Sequence, residues 1–268
     1  MRPNFESLEK NMSDAAVSLG HPVADSRPFV SAPASGKRLG LGATLVWGAA
    51  GIAGLMIFWI TGRLPMRWMQ LDSYPALVLL SFGHIAAVAV VAAALWSHAL
   101  PLRDYLALPA LRWRDVRRGA LFGVLGYLVL FVTYPLILLI QSALGGGPSV
   151  PVLMLPRLDG AGLTLLTLWL GMVIAAPIAE ELLFRGFIYR GLAQSRLGAF
   201  GAVMITSLVF GLMHYPGFGW PRVVQTACVG LLFGWLRWHS GNTGIGIVAH
   251  AVMNMMGATL LTVFVLVS

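Results

Sequence analysis

Seven apolar runs, at about 39–62, 75–98, 119–143, 161–181, 198–214, 222–238 and 243–267, partition this chain. A membrane-crossing helix needs about 20 consecutive apolar residues, and each run is near that length. Lipid offers no partner to a backbone N–H or C=O, so spans of this kind satisfy their backbone internally, as helices. The expected fold is all-α, a polytopic transmembrane bundle of about seven spans, with an eighth crossing left open. Composition points the same way. The chain is 58% hydrophobic and only 10% charged, with a mean hydropathy of +0.81, which excludes an ordinary soluble domain.

The polar breaks are short, so residues 39–268 read as one bundle. Residues 1–38 differ, being rich in Ser, Pro, Ala and charge. They lack the basic, apolar and small-residue regions of a signal peptide, and the expectation is a disordered polar tail. Gly145, Gly146, Gly147 and Pro148 open a longer connector that also holds Pro151 and Pro156.

The net charge is +8, yet the bases do not form a nucleic-acid surface. They sort by loop. Fourteen fall on one side of the expected membrane, among them Arg103, Arg112, Arg114, Arg117, Arg118, Arg185, Arg190, Arg196 and Arg237. Four fall on the other: Arg63, Arg67, Arg157 and Arg222. The positive-inside rule then places the N-terminus in the cytoplasm of a cell membrane. The arginine-heavy base set, 16 Arg to 2 Lys, fits a GC-rich bacterium and hence a bacterial inner membrane. The run from Arg112 to Arg118 suits anionic headgroups. The single cysteine, Cys228, rules out an internal disulfide and reads as a packing residue.

Against this background Glu180 and Glu181 stand out. Of ten acidic residues, only these two interrupt an apolar run. An ionised side chain at the centre of a membrane helix costs at least about 2.5–3.5 kcal/mol, so an intramembrane carboxylate marks a candidate functional site. Residues four apart share a helix face, so Glu181 can pair with Arg185. Glu180 points about 100° away and has no partner on its own helix. Pro177 cannot donate to the Val173 carbonyl and can open the helix locally.

The histidines supply possible partners. His214 closes the fifth run, and a hairpin turn at Ser195 to Leu197 sets it nearly level with Glu180 on the neighbouring helix. His250 and Asn254 share one face of the last span. Straight-helix counting leaves His250 at a depth different by roughly 10 Å or more, which tilt or a broken helix must correct. His84, inside the second run, reads as a buried hydrogen-bonding residue, while His98 ends that run. There is no His-Glu-x-x-His zinc helix, no Gly-x-Ser-x-Gly elbow and no aspartate in any span.

Glu180-Glu181-x-x-x-Arg185, then Phe210-x-x-x-His214, then His250-x-x-x-Asn254, in that order, resembles the CAAX protease and bacteriocin-processing (Abi) family of intramembrane proteases over about 160–256. The resemblance implies a membrane endopeptidase acting on a peptide or membrane-tethered substrate. It implies Glu180 as general base on water, His214 as its assistant, and His250 with Asn254 as oxyanion donors. Glu181 and Arg185 would steady the site helix, and Phe210 would pack behind His214. Glu180, His214 and His250 also make up a His2Glu set of the kind zinc uses. Whether a divalent metal such as Zn2+ is needed, or none, is left open by the residues. Two other functions share these features: a non-proteolytic immunity or scaffold protein, and a proton-coupled carrier. No repeat of broken helices, which a carrier would favour, is visible.

Overall fold

The computed structural model describes residues 38–69, 73–143 and 161–267. The expectations for the N-terminal tail and for the Gly145–Pro156 connector fall outside these residues. The chain forms eight helices there: α1 (Leu41–Met69), α2 (Ser73–Ser97), α3 (Leu102–Tyr105), α4 (Trp113–Ala143), α5 (161–193), α6 (Gly198–Leu212), α7 (Tyr215–Ser240) and α8 (Thr243–Val267). No strand occurs among the described residues. The seven long helices follow the seven apolar runs. The additional helix, α3, has four residues and is too short to cross.

The outside of the bundle is as apolar as its inside. On α2, Ala87, Val91, Ala94 and Leu95 are buried at helical spacing, while Phe82, Ile85 and Trp96 are exposed on the opposite face. Phe131, Leu139 and Phe200 are likewise exposed. Such a surface suits lipid and would aggregate in water. Stretches of α4 (Trp113–Ile140), α5 (Leu165–Ala193) and α8 (Thr243–Val263) are long and apolar enough to cross a membrane, with shorter apolar stretches in α1, α2 and α6.

Three element ends differ from the sequence expectation, each for a local reason. Helix α4 begins at Trp113 and takes in the basic stretch, because the Asp115 carboxylate accepts the Arg112 backbone N–H at 3.0 Å and closes the first turn. Helix α5 continues through the arginines to Ala193. Helix α7 starts early, at Tyr215, but is broken at Gly219, whose φ of 72° and ψ of −174° are open to glycine alone.

Small residues let the helices touch. A Cβ at Gly123 of α4 would stand 2.5 Å from the Ala249 carbonyl of α8, and one at Gly119 would stand 2.9 Å from the Ile245 carbonyl. Two glycines four apart thus bring two backbones into contact, as in membrane helix pairs generally. The Gly48, Gly51 and Gly54 face of α1 also packs within the chain, against Ile188, Leu183 and Ala86.

Two apolar clusters result. The larger joins α1, α2, α5 and α6 around Leu183, Phe184, Phe187 and Phe210. The smaller joins α4, α7 and α8 around Phe233, Leu236 and Met253. Arg185 lies between them. It is the largest fully buried side chain, and its Nη2 donates to the Gly230 carbonyl of α7 at 3.2 Å. Arg237 of α7 answers by donating from Nε to the Arg185 carbonyl at 3.1 Å. Arg190 is tied to the Asp104 and Tyr105 carbonyls beside α3. These three arginines are therefore structural members of the bundle.

Candidate active site

The site helix α5 is not uniform. Segments 170–175 and 182–188 are π-helical, and the six-residue α-helical piece Ala176–Glu181 lies between them. Wide π turns re-aim side chains and recur at functional sites. Glu180 and Glu181 sit at the end of this piece, 7% and 0% exposed.

Glu181 is held from two sides. Its Oε1 accepts from Arg185 Nη1 at 3.0 Å and from His250 Nδ1 at 3.1 Å. Its Oε2 has no hydrogen-bond partner among the described residues and is crowded by Gly246, where a Cβ would stand 2.9 Å away. The pairing of residues four apart was legible in the sequence. The second partner, from α8, was not.

Glu180 points elsewhere, between two imidazoles. His84 Nε2 approaches Oε1 at 3.7 Å and His250 Nε2 approaches Oε2 at 3.9 Å. Both distances exceed a direct hydrogen bond. His84 is the residue that sequence reasoning passed over. Its one available signal was a polar side chain unexplained within an apolar span.

His214 follows α6 and is half-buried. Its Nδ1 donates to the Phe210 carbonyl at 2.8 Å. A carbonyl only accepts, so in the neutral ring Nδ1 carries the hydrogen and Nε2 is the basic nitrogen. His214 is close enough to Glu180 to interact with it electrostatically. Phe210 is the hub beneath both histidines. Its ring centroid is 5.0 Å from that of His214 and 6.1 Å from that of His250, and the Arg185 guanidinium lies 4.5 Å above its face. Asn254, one turn beyond His250, donates from Nδ2 to the Met172 carbonyl of α5 at 2.8 Å. Glu180, Glu181, Arg185, Phe210, His214 and His250 thus converge on one region, joined by His84, while Asn254 lies one turn further along α8 against Met172.

The expected depth mismatch of His250 is removed by where α8 begins. Thr243 donates from its backbone N–H to the Ala107 carbonyl at 2.9 Å and from Oγ1 to the Leu106 carbonyl at 2.6 Å. The α7–α8 turn is thereby docked on the segment after α3, and Gly246 comes level with Glu181. Counting from a turn at the same depth as the α5–α6 hairpin missed this.

The donor set for a metal can be judged from the same geometry. Among the described residues no three His, Cys, Asp or Glu side chains gather as metal ligands. His250 Nδ1 is bonded to Glu181 and His214 Nδ1 to Phe210, which leaves the Nε2 atom of each ring open, as in histidines that ligate a metal. The Glu180–His214–His250 side chains are not gathered closely enough to form a zinc site as arranged, and no step below is routed through a metal.

Residues 162–256 match the model of the Rce1-like family, type II CAAX prenyl endopeptidases. This is the segment that holds the three motifs, and the resemblance read from them stands over that length. No curated protein and no solved structure gives a match.

Proposed function

We propose that the chain is an intramembrane endopeptidase that hydrolyses a peptide bond in a peptide or membrane-tethered substrate, with Glu180 as the base. The observation that carries this is a buried carboxylate flanked by two imidazole nitrogens at 3.7 and 3.9 Å, with a third histidine nearby. The family match over 162–256 supports the reaction class.

The chemistry follows from the roles available. Glu180 takes a proton from water, assisted by the basic Nε2 of His214, and the water oxygen bonds to the substrate carbonyl carbon. Negative charge develops on the carbonyl oxygen. With both nitrogens protonated, His250 keeps Nδ1–H on Glu181 and offers Nε2–H to that oxygen, beside the second N–H of Asn254. The C–N bond then breaks, and Glu180 returns its proton to the leaving amine. Glu181 and Arg185 hold His250 and the helix in place. We further place the N-terminus in the cytoplasm of a bacterial inner membrane, on the arginine distribution.

The test is cleavage of a peptide library by purified, detergent-solubilised protein, wild type against Glu180→Ala. Cleavage by the wild type and a loss of about 100-fold or more in the variant are expected. Equal cleavage by both would remove Glu180 from the mechanism. No cleavage of any substrate, together with full phenotypic rescue by Glu180→Ala, would favour a scaffold role.

A further inference from the structure

Helix α2 lies outside the 162–256 segment, yet it sends one polar side chain to Glu180. His84 begins the buried stripe of α2 that continues through Ala87, Val91, Ala94 and Leu95, so its ring is directed inward, not to lipid. It is 5% exposed. Its Nδ1 is fully buried with no hydrogen-bond partner among the described residues. A buried imidazole normally satisfies both nitrogens. This one leaves a nitrogen bare while its other nitrogen sits 3.7 Å from a carboxylate oxygen.

The tautomer follows from that asymmetry. An orphaned N–H is rarer and costlier than an orphaned acceptor. Nδ1 is therefore the bare nitrogen of the neutral ring, and Nε2 carries the hydrogen, aimed at Glu180 Oε1. A water about 2.8 Å from both atoms also fits a 3.7 Å separation. Either way the N–H acts on one oxygen of Glu180 while His250 faces the other. Without that bracket, rotation about the last torsion of the glutamate is unopposed on the α2 side.

We propose that His84 is a positioning residue for Glu180, fixing the orientation of its carboxylate from a helix that the family motifs do not include. The role rests on Glu180 being the base. A histidine kept only for packing would be replaceable by any side chain that fills its volume. A positioning histidine is replaceable only by one that returns an N–H at the Nε2 position, and glutamine does so.

The experiment has two arms on detergent-purified protein. In the first, cleavage is followed for His84→Ala, His84→Phe and His84→Gln. His84→Ala should lower kcat by about 10- to 100-fold with KM unchanged, because a misplaced reacting group costs rate more than binding. His84→Gln should recover most of the loss. In the second arm, Tm is measured for His84→Gln, His84→Phe, Glu180→Gln and the paired variants. Coupling should make the Tm shift of His84→Phe smaller in the Glu180→Gln background than in the wild type. Additive Tm shifts, or equal kcat in His84→Phe and wild type, would overturn the proposal. Should the wild type cleave nothing while the shifts are non-additive, the endopeptidase function falls and the His84–Glu180 contact stands.

Discussion

Asn254 of α8 caps a backbone carbonyl of α5 that proline leaves bare. In the first π segment the Ala176 N–H bonds to the Gly171 carbonyl, five residues back. The next donor in that register would serve Met172, and it falls on Pro177, which has no N–H. The Asn254 amide takes its place at 2.8 Å. One N–H of Asn254 is thus structural, and under the mechanism proposed above the second is the one offered to a substrate oxyanion.

These two duties can be separated. Asn254→Ala should lower both Tm and kcat, the stability loss being about 1–3 kcal/mol for a buried carbonyl left unpaired. Adding Pro177→Ala restores a donor in register with Met172. The double variant should regain Tm but not kcat, as read by thermal melting and cleavage in parallel. A double variant that recovers both would show that Asn254 does nothing beyond capping.

Glu181 and Glu180 should respond oppositely to neutralisation. Glu181→Gln leaves the fully buried Arg185 without its carboxylate, and breaking a buried pair from one side costs about 3–5 kcal/mol. Arg185→Ala should cost as much. Glu180→Gln keeps its volume and removes no charge partner at bonding distance, so its folded yield should match the wild type while cleavage is lost. Monodispersity on size-exclusion chromatography after a heat step distinguishes the two classes. A Glu180→Gln protein as fragile as Glu181→Gln would contradict the division of labour between them.

The α4–α8 crossing tests whether His250 is held by packing. Gly123→Ala places a methyl 2.5 Å from the Ala249 carbonyl, next to His250. Overpacking of this kind costs about 1–3 kcal/mol, and here the shift displaces a site helix. A fall in both Tm and cleavage rate is expected. Gly162→Ala, where a Cβ meets nothing within 4 Å, should leave both unchanged and serves as the control.

Metal removal gives a further check. Because no three ligating side chains converge among the described residues, cleavage should persist after dialysis against a chelator. Loss of activity that returns on adding back a divalent ion would mean that the histidines regroup around a cation when substrate binds.

The residues tell their fold and their site unequally. Apolar run length specified the seven long helices, because lipid permits little else. The Glu181–Arg185 pair was legible because four-residue spacing is local. His84 was not legible. A single histidine in an apolar run carries no spacing signal, and its meaning comes from a helix about a hundred residues away in sequence. The depth of His250 was hidden for a related reason. It depends on Thr243 bonding to Leu106 and Ala107, a long-range contact between two loops that look like ordinary polar breaks. Pro177 signalled an opening in α5, but not that two π segments would bracket the glutamates.

The Glu181–Arg185 ion pair also bears on how the protein is made. Both partners lie on one helix, four residues apart and fully buried. Their charges can therefore cancel within the nascent α5 segment, before α6, α7 and α8 have been synthesised. A helical α5 segment would then carry an internally neutralised pair into the membrane, with Glu180 as its one acid lacking a partner on the same helix. Separating Glu181 from Arg185 would thus penalise membrane insertion itself, ahead of any effect on the folded bundle.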